Sequence, residues 1–265
     1  MVSRLPVLEA FKGIVKPNST EAKLLASIDL ARLPRHIAVI MDGNGRWAKL
    51  RGQPRIFGHR AGADSVRAII DTCRRLGIEA VTLYAFSTEN WKRPRTEIRG
   101  LMQMLKRYIR KDVKEVHEHG IRFQTIGDLA ALPPDVQSEI ASAKKMTANN
   151  DGMVMNIALN YGSRAEIVRA AGLAAADVLK RGEKVTELSE SDVERNLYTH
   201  GLPAVDLLIR TSGELRISNF LLWQLAYSEI YVTPVLFPDF RRKEIFDAIV
   251  DFQTRERRYG GIGQA

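Results

Sequence analysis

The chain has 265 residues, 45% of them hydrophobic, enough to bury a substantial core in one domain. Its 40 Lys and Arg against 31 Asp and Glu leave a net charge of +9, which favours an anionic partner: nucleic acid, an acidic membrane surface or a phosphorylated small molecule. The single cysteine, Cys73, excludes an internal disulfide or a cysteine metal cluster; it is expected as an inert buried thiol in a reducing cytoplasm.

In the first 35 residues, apolar positions are interrupted by Glu9, Lys12 and Lys16, so no run is long enough for a signal peptide. No stretch elsewhere approaches the roughly 18 apolar residues of a membrane span. Residues 1–33 are expected to form a loosely attached extension ahead of one domain at 34–265. Short β-rich runs follow at 37–42, 80–87, 121–127, 153–161 and 205–211, separated by helical patterns near 61–76, 96–119, 134–149, 163–181 and 191–199. A last strand is expected at 229–237, limited to an edge by Pro234, and RKEIFDAIVDFQTRERR reads as a closing helix. This alternation predicts an α/β fold, a single domain with a largely parallel central sheet flanked by helices. No internal repeat or low-complexity linker marks a boundary.

Ligands of such sheets sit where strands end and loops lead into helices. Three polar loops fall there: DGNGRW (42–47), STENWKR (87–93) and RTSGELRIS (210–218). In the first, Gly43 and Gly45 permit a tight turn with exposed N–H groups, and Arg46 can clamp phosphate oxygens. Asp42 would repel the same anion unless a cation intervened, and Mg²⁺ suits a site with one or two carboxylates and substrate phosphates. The bland alternative is a strand-to-helix turn whose glycines serve geometry and whose Asp caps the next helix. There is no Walker loop, no G-x-G-x-x-G and no D-D-x-x-D pair.

The motifs MDGNGRWA, GHRAG (58–62), LYAFSTENWKRP (83–94), NYGSR (160–164) and IRTSGELRISNFLLWQLAYSE (209–229) together resemble the cis-prenyltransferase family, in its bacterial undecaprenyl diphosphate synthase branch. The resemblance runs from about residue 34 to RERRYGG near the end. It implies a catalytic domain with a hydrophobic tunnel and a homodimeric, Mg²⁺-dependent enzyme. Such an enzyme adds isopentenyl diphosphate to an allylic diphosphate such as farnesyl diphosphate, giving a long-chain product for the lipid carrier of cell-wall synthesis. A short- or medium-chain synthase is the alternative. Transient contact with a membrane surface, for product release, is part of the same expectation, and nucleic acid is not.

Carried over by the motifs, Asp42 is the essential acid of the allylic site, with Gly43, Asn44, Gly45, Arg46, Trp47, Arg55 and His59 around the diphosphate. Arg210, Arg216, Ile217 and Ser218 match the isopentenyl diphosphate site, and Glu229 matches a second metal carboxylate beside Asp42. Ser87, Thr88, Glu89, Asn90, Trp91 and Arg93 match a mobile catalytic loop. Asn90 is described in the family as proton acceptor, yet a neutral amide is a very weak base. Two diphosphates with Asp42 and Glu229 carry about −8, against about +7 from five arginines and one Mg²⁺, so the loaded site is nearly neutral.

Other readings stand beside these. Trp91 is expected as a lid over substrate, and His117 and His119 as solvated residues at a helix end. The stripe Ile98, Leu101, Leu105, Tyr108, Ile109, Val113 has helical spacing and fits either core or tunnel. Resemblance places Ala85 beside the growing chain and Met153 near the tunnel floor. Two departures from the family pattern are Ser212, where a second glycine is common, and Leu215, where a polar residue is frequent. Arg258-Tyr259-Gly260 matches an element that crosses the dimer in relatives. A nucleic-acid-binding protein lacks support from any aromatic-basic motif, and a non-catalytic subunit is disfavoured by the presence of Asp42, Asn90 and Arg216.

Overall fold

Six parallel strands form the sheet, in the order β3-β4-β2-β1-β5-β6. The structure, a computed structural model, describes residues 9–255; the Arg258-Tyr259-Gly260 element lies outside them. The strands are β1 (His36–Ile40), β2 (Ala80–Ser87), β3 (Arg122–Ile126), β4 (Val154–Tyr161), β5 (Leu207–Arg210) and β6 (Glu229–Val232). All five residues of β1 are buried, as the central strand of a parallel sheet covered on both faces requires. Ile37 and Val39 join the larger core, and Ala38 and Ile40 a second core on the opposite face.

The larger core is closed by α1 (Thr20–Ser27), α3 (Arg55–Leu76), α4 (Arg95–Glu118), α5 (Pro134–Met146) and α8 (Arg242–Thr254). The other face carries α6 (Ser163–Lys180) and α7 (Glu190–Asn196), packed on each other. Inside the sheet, His36 Nδ1 faces the Pro203 carbonyl at 2.8 Å and must therefore carry its proton. His36 Nε2 then accepts from the Thr82 hydroxyl at 2.8 Å, and that oxygen accepts from Asn156 at 3.1 Å. Burial holds the ring neutral by lowering its pKa.

Two features depart from the sequence reading. The stretch expected as a bare loop after β1 contains α2 (Asn44–Leu50), and α3 begins at Arg55 instead of 61. Gly58 makes this possible: a Cβ there would stand 1.9 Å from the Asn44 carbonyl oxygen, so only glycine lets α3 lie against α2. The second departure is the amino-terminal segment, expected as loosely attached. Phe11 is 1% exposed, meets Phe246 edge to face at 5.5 Å, and shares the larger core with Leu25 and Ile28. Gln253 accepts from the Asp29 N–H at 2.9 Å and donates to the Asp29 and Arg32 carbonyls, pinning the segment to α8. Among the described residues, no helix is long and apolar enough to cross a membrane.

If residues 9–33 are part of the folded unit, Phe11→Ala will lower the unfolding free energy by about 3–5 kcal/mol in denaturant titration, the range for a buried aromatic. A change below roughly 1 kcal/mol would return the segment to the status of a loose extension.

Candidate active site

The sheet's winding reverses between β1 and β5, and the chain leaves both strands at the same end. Asp42 follows β1 there, and Arg210 ends β5. Arg210, 4% exposed, donates from Nη2 to Asp42 Oδ2 at 2.9 Å and from Nη1 to Ser218 Oγ at 3.0 Å and the Arg216 carbonyl. The Gly43 N–H donates to the other Asp42 oxygen at 2.7 Å, with Gly43 in the left-handed region at φ 106°. Thr211 and Phe237 hold the Asp42 carbonyl. This crevice at the reversal of strand order is where open parallel sheets bind ligands.

Arg46 on α2 spans the crevice to the loop after β5, where it donates to the Ser212 carbonyl at 3.1 Å and to its hydroxyl. Ser212 is left-handed at φ 73°, so the position favours glycine, and serine bears the strain while its hydroxyl gains Arg46. Ser218 and Asn219 are also left-handed, at φ 50° and 60°, which concentrates strain on this one loop. Leu215 is 90% exposed and touches none of this. Glu214, which the sequence reading passed over, pairs with Arg46 at 3.0 Å and with Arg216 at 2.5 Å. One carboxylate thus bridges the two arginines assigned to different diphosphates.

On the other side of α2, the Arg55 guanidinium packs over Gly45, where an added Cβ would meet its Cζ at 3.2 Å. Arg55 and Arg93 share Glu97, at 3.5 and 3.0 Å, a second carboxylate without a signal in the motifs. His59 lies beside this group with Nε2 buried and unpartnered, as is Asn44 Oδ1. Burial, then the positive charge of Arg93, pushes the His59 pKa down to about 4. A neutral ring with an unpaired nitrogen, next to two arginines, is prepared for an anionic ligand.

The loop after β2 is a short 3-10 turn, Thr88–Lys92, capped by Ser87. The Asn90 side-chain oxygen accepts the Ser87 N–H at 3.1 Å. Glu89 is tied to Asn219 at 3.0 Å, joining this loop to the one after β5. Trp91 is 37% exposed, packs edge to face on Phe86 and donates to Asn160 Oδ1 at 2.7 Å, so its ring is held against the domain in this state. Trp47 donates to Asp239 at 2.8 Å under the Arg51 guanidinium and anchors α2 outside the cavity.

Asn44, His59, Asn90 and Arg93 form the polar mouth of an apolar cavity of about 250 Å³ between the sheet and helices α3 and α4. Ala85 lines it, as do Leu101, Leu105, Tyr108, Ile109 and Val113 of the α4 stripe, whereas Ile98 packs against the core instead. Met153 does not line the cavity: it is 6% exposed in the core before β4. Met155, one inward-facing step later, lines the deep end with Phe123, Val116 and Ala143. One polar seam interrupts the wall, where Asp112 on α4 pairs with Arg67 on α3 at 3.1 Å.

Glu229 is not brought to Asp42 within the chain. It opens β6 level with Leu207 and Ile37, roughly 15 Å back along the strands at about 3.3 Å per residue. There it accepts from Arg255 at 2.9 Å. Asp42 remains the carboxylate at the crevice that can hold a cation, with Glu214 nearest to it through Arg46. No cluster of three or more His, Cys, Asp or Glu suited to a metal occurs among the described residues. A single carboxylate with room for anionic ligands fits an ion that takes most of its shell from water and phosphate.

The depressed His59 pKa carries a sign. Its folded-state value lies below the usual 6.5, so the neutral ring's contribution to stability is present above about pH 6.5 and is lost as pH falls toward about 4. NMR titration of the unliganded protein should give a His59 midpoint near 4, rising when inorganic diphosphate binds beside it. A midpoint near 6.5 in the free protein would mean an ordinary solvated imidazole.

Residues 40–260 match the family described as "Putative undecaprenyl diphosphate synthase". The isoprenyl transferase of Clostridium tetani is 50% identical over 235 residues, covering 89% of this chain and 92% of that protein. The ditrans,polycis-undecaprenyl-diphosphate synthase of Vibrio vulnificus, named as (2E,6E)-farnesyl-diphosphate specific, is 47% identical over 88% of this chain and 92% of its own. Among solved structures, lavandulyl diphosphate synthase from Lavandula x intermedia, in complex with dimethylallyl diphosphate, superposes with a TM-score of 0.83 at 39% identity. That match covers 86% of this chain and 98% of the other. A "probable undecaprenyl diphosphate synthase" from Campylobacter jejuni gives 0.71 at 35% identity, with the same coverage. The chain therefore belongs to the undecaprenyl diphosphate synthase family and is an enzyme of the cis-prenyltransferase type.

Proposed function

We propose that this enzyme, as a Mg²⁺-dependent homodimer, adds isopentenyl diphosphate units in sequence to farnesyl diphosphate, and that the long-chain cis-polyprenyl diphosphate serves as precursor of the lipid carrier of cell-wall synthesis. The observation that carries this reading is the junction of two chemistries: a mouth of one arginine, two asparagines and a neutral histidine opening directly into an apolar tunnel. A diphosphate fits the first and a growing hydrocarbon the second. The farnesyl-specific relatives support the choice of primer.

In this reading, Arg46, Arg55, Arg93 and His59 receive the allylic diphosphate, with the Gly43–Arg46 turn beneath it. Arg210, Arg216 and Ser218 receive that of isopentenyl diphosphate. Loading releases Glu214 from Arg46 and Arg216 and opens the Asp42–Arg210 pair, so substrate charge replaces protein charge. Asp42 would then hold Mg²⁺, which supplies charge neutralisation to the departing diphosphate. The allylic C–O bond breaks, the isopentenyl alkene forms the new C–C bond, and one proton leaves. Arg46, Arg55 and Arg93 stabilise the charge developing on the leaving group.

The proton goes to a diphosphate oxygen. The Asn90 oxygen already accepts from Ser87; one Asp42 oxygen accepts from Gly43, and the other, freed from Arg210, would hold Mg²⁺. Asn90 would act through its NH₂ group, donating to and orienting the diphosphate. After each addition the tail advances past Ala85 along α4, and the lengthened allylic diphosphate occupies the first site again.

The direct test is incubation of purified protein with labelled isopentenyl diphosphate, farnesyl diphosphate and Mg²⁺, with chromatographic sizing of the lipid. Around ten or eleven isoprene units, the length implied by resemblance, is the expected product. Arrest after one or two additions would select the short-chain alternative.

Two substitutions probe the parts separately. Asp42→Ala should lower turnover by well over tenfold, a barrier increase above roughly 1.4 kcal/mol, with unchanged thermal unfolding. More than a tenth of the wild-type rate would remove Asp42 from its role. Ala85→Leu should shorten the product, because a packed wall cannot absorb several extra heavy atoms without narrowing the path. Met155→Ala should lengthen it by opening the deep end, whereas Met153→Ala should leave length unchanged; the reverse pattern would move the floor back to Met153.

A further inference from the structure

The α4 helix is two-sided in an unusual way. Its inner arc, with Leu101, Leu105, Tyr108 and Ile109, lines the tunnel. Its outer arc carries Arg95, Arg99, Arg107, Lys111 and Lys114, all exposed. At about 100° per residue these five fall within roughly 160° of the circumference, opposite the apolar arc. None of the five makes an ion pair among the described residues, whereas their neighbours Lys106 and Arg110 are tied to Asp135 and Glu139 of α5. Of the helix's own carboxylates, Glu97 and Asp112 are engaged by Arg93 and Arg67, Glu115 falls outside the arc, and Glu118 is the last residue of the helix. A shallow basin lined by Gln103, Lys106, Arg107, Arg110 and Lys111 lies on the same face.

We propose that the outer face of α4 docks the enzyme on a bilayer bearing anionic phospholipid headgroups, so that one helix is both the wall of the product tunnel and the membrane-facing surface. The proposal rests on the polyprenyl-diphosphate reading above, since it is the hydrocarbon product that needs a bilayer as its destination. Unpaired cations on a helix gain from the negative surface potential of such a membrane, and the attraction decays within a Debye length. The arc presents five long basic side chains with one exposed ring, Trp91, beside Arg95 and Arg99 and packed on Phe86, so it lacks the row of rings on which successive bases of a single strand stack. Docking through this face also brings Arg93, two residues before α4 and part of the tunnel mouth, to the edge of the bilayer.

The test is sedimentation of the full-length protein with phosphatidylcholine vesicles, with and without phosphatidylglycerol, at low and high salt. The comparison is a triple variant, Arg107→Glu, Lys111→Glu and Lys114→Glu, none of which belongs to the site. Wild type should bind the anionic vesicles in a salt-sensitive manner and the neutral ones hardly at all. The variant's partitioning should be lower by about tenfold or more, given the steep dependence of such binding on basic residues. Its condensation rate in detergent solution should equal that of wild type. Equal partitioning of variant and wild type overturns the proposal, as does equal binding to neutral vesicles, or binding to single-stranded RNA in preference to anionic vesicles. Absence of any polyprenyl product from wild type in detergent would instead sink the functional reading, and the vesicle measurement would still report on the surface by itself.

Discussion

The arrangement depends on an unbalanced charge at one crevice. Where the sheet reverses its winding, Asp42 and Arg210 are delivered by neighbouring strands and meet at 2.9 Å. An almost fully buried arginine is tolerable only with such a partner, because an isolated charge there would be costly to desolvate. The pair fixes the relation of β1 to β5, and through Ser218 and the Arg216 carbonyl it shapes the loop after β5. Every other cation around the crevice finds a provisional carboxylate: Glu214 for Arg46 and Arg216, and Glu97 for Arg55 and Arg93. The protein thus offsets the charge of these arginines with its own carboxylates.

Backbone strain is concentrated at the same place. Ser212, Ser218 and Asn219 adopt left-handed conformations in the loop after β5, beside Gly43, whose own positive φ costs a glycine nothing. Such conformations persist when surrounding bonds over-determine them. Here those bonds are the Arg46 contacts to Ser212, the Arg210 contact to Ser218 and the clasp of Asn219 on Glu89. That clasp also links the loop after β2 to the loop after β5.

The tunnel imposes the complementary constraint. A hydrocarbon of growing length needs a continuous apolar wall, and α3 and α4 supply it from one side of the sheet. Gly58 and Gly62 on α3 bring that helix against Asn44, where a Cβ would stand 1.9 and 2.7 Å from Asn44 oxygens. The polar mouth and apolar bore can therefore be adjacent without a gap. The Arg67–Asp112 pair shows that the wall is not uniformly apolar, and it lies where the two helices meet.

Local pattern sufficed for much of this. Alternating β-rich and helical stretches determined a parallel α/β sheet, because buried strands and amphipathic helices leave different periodicities in the chain. The three polar loops at strand ends followed from the same alternation, and long ordered motifs pointed to the residues in them. Tertiary structure alone decided which carboxylates meet the crevice arginines within the chain: Glu214 and Glu97 reach them through ion pairs between distant segments, and strand register sets Glu229 apart. It decided that the amino-terminal segment belongs to the core, since Phe11 finds Phe246 only after the chain closes. It also decided that most of the α4 stripe lines the cavity, and that Met155 and not Met153 is among the residues around it. Periodicity tells which face of an element avoids water, but whether that face meets a neighbour or a cavity depends on the separation of elements distant in the chain, and local sequence does not encode that distance.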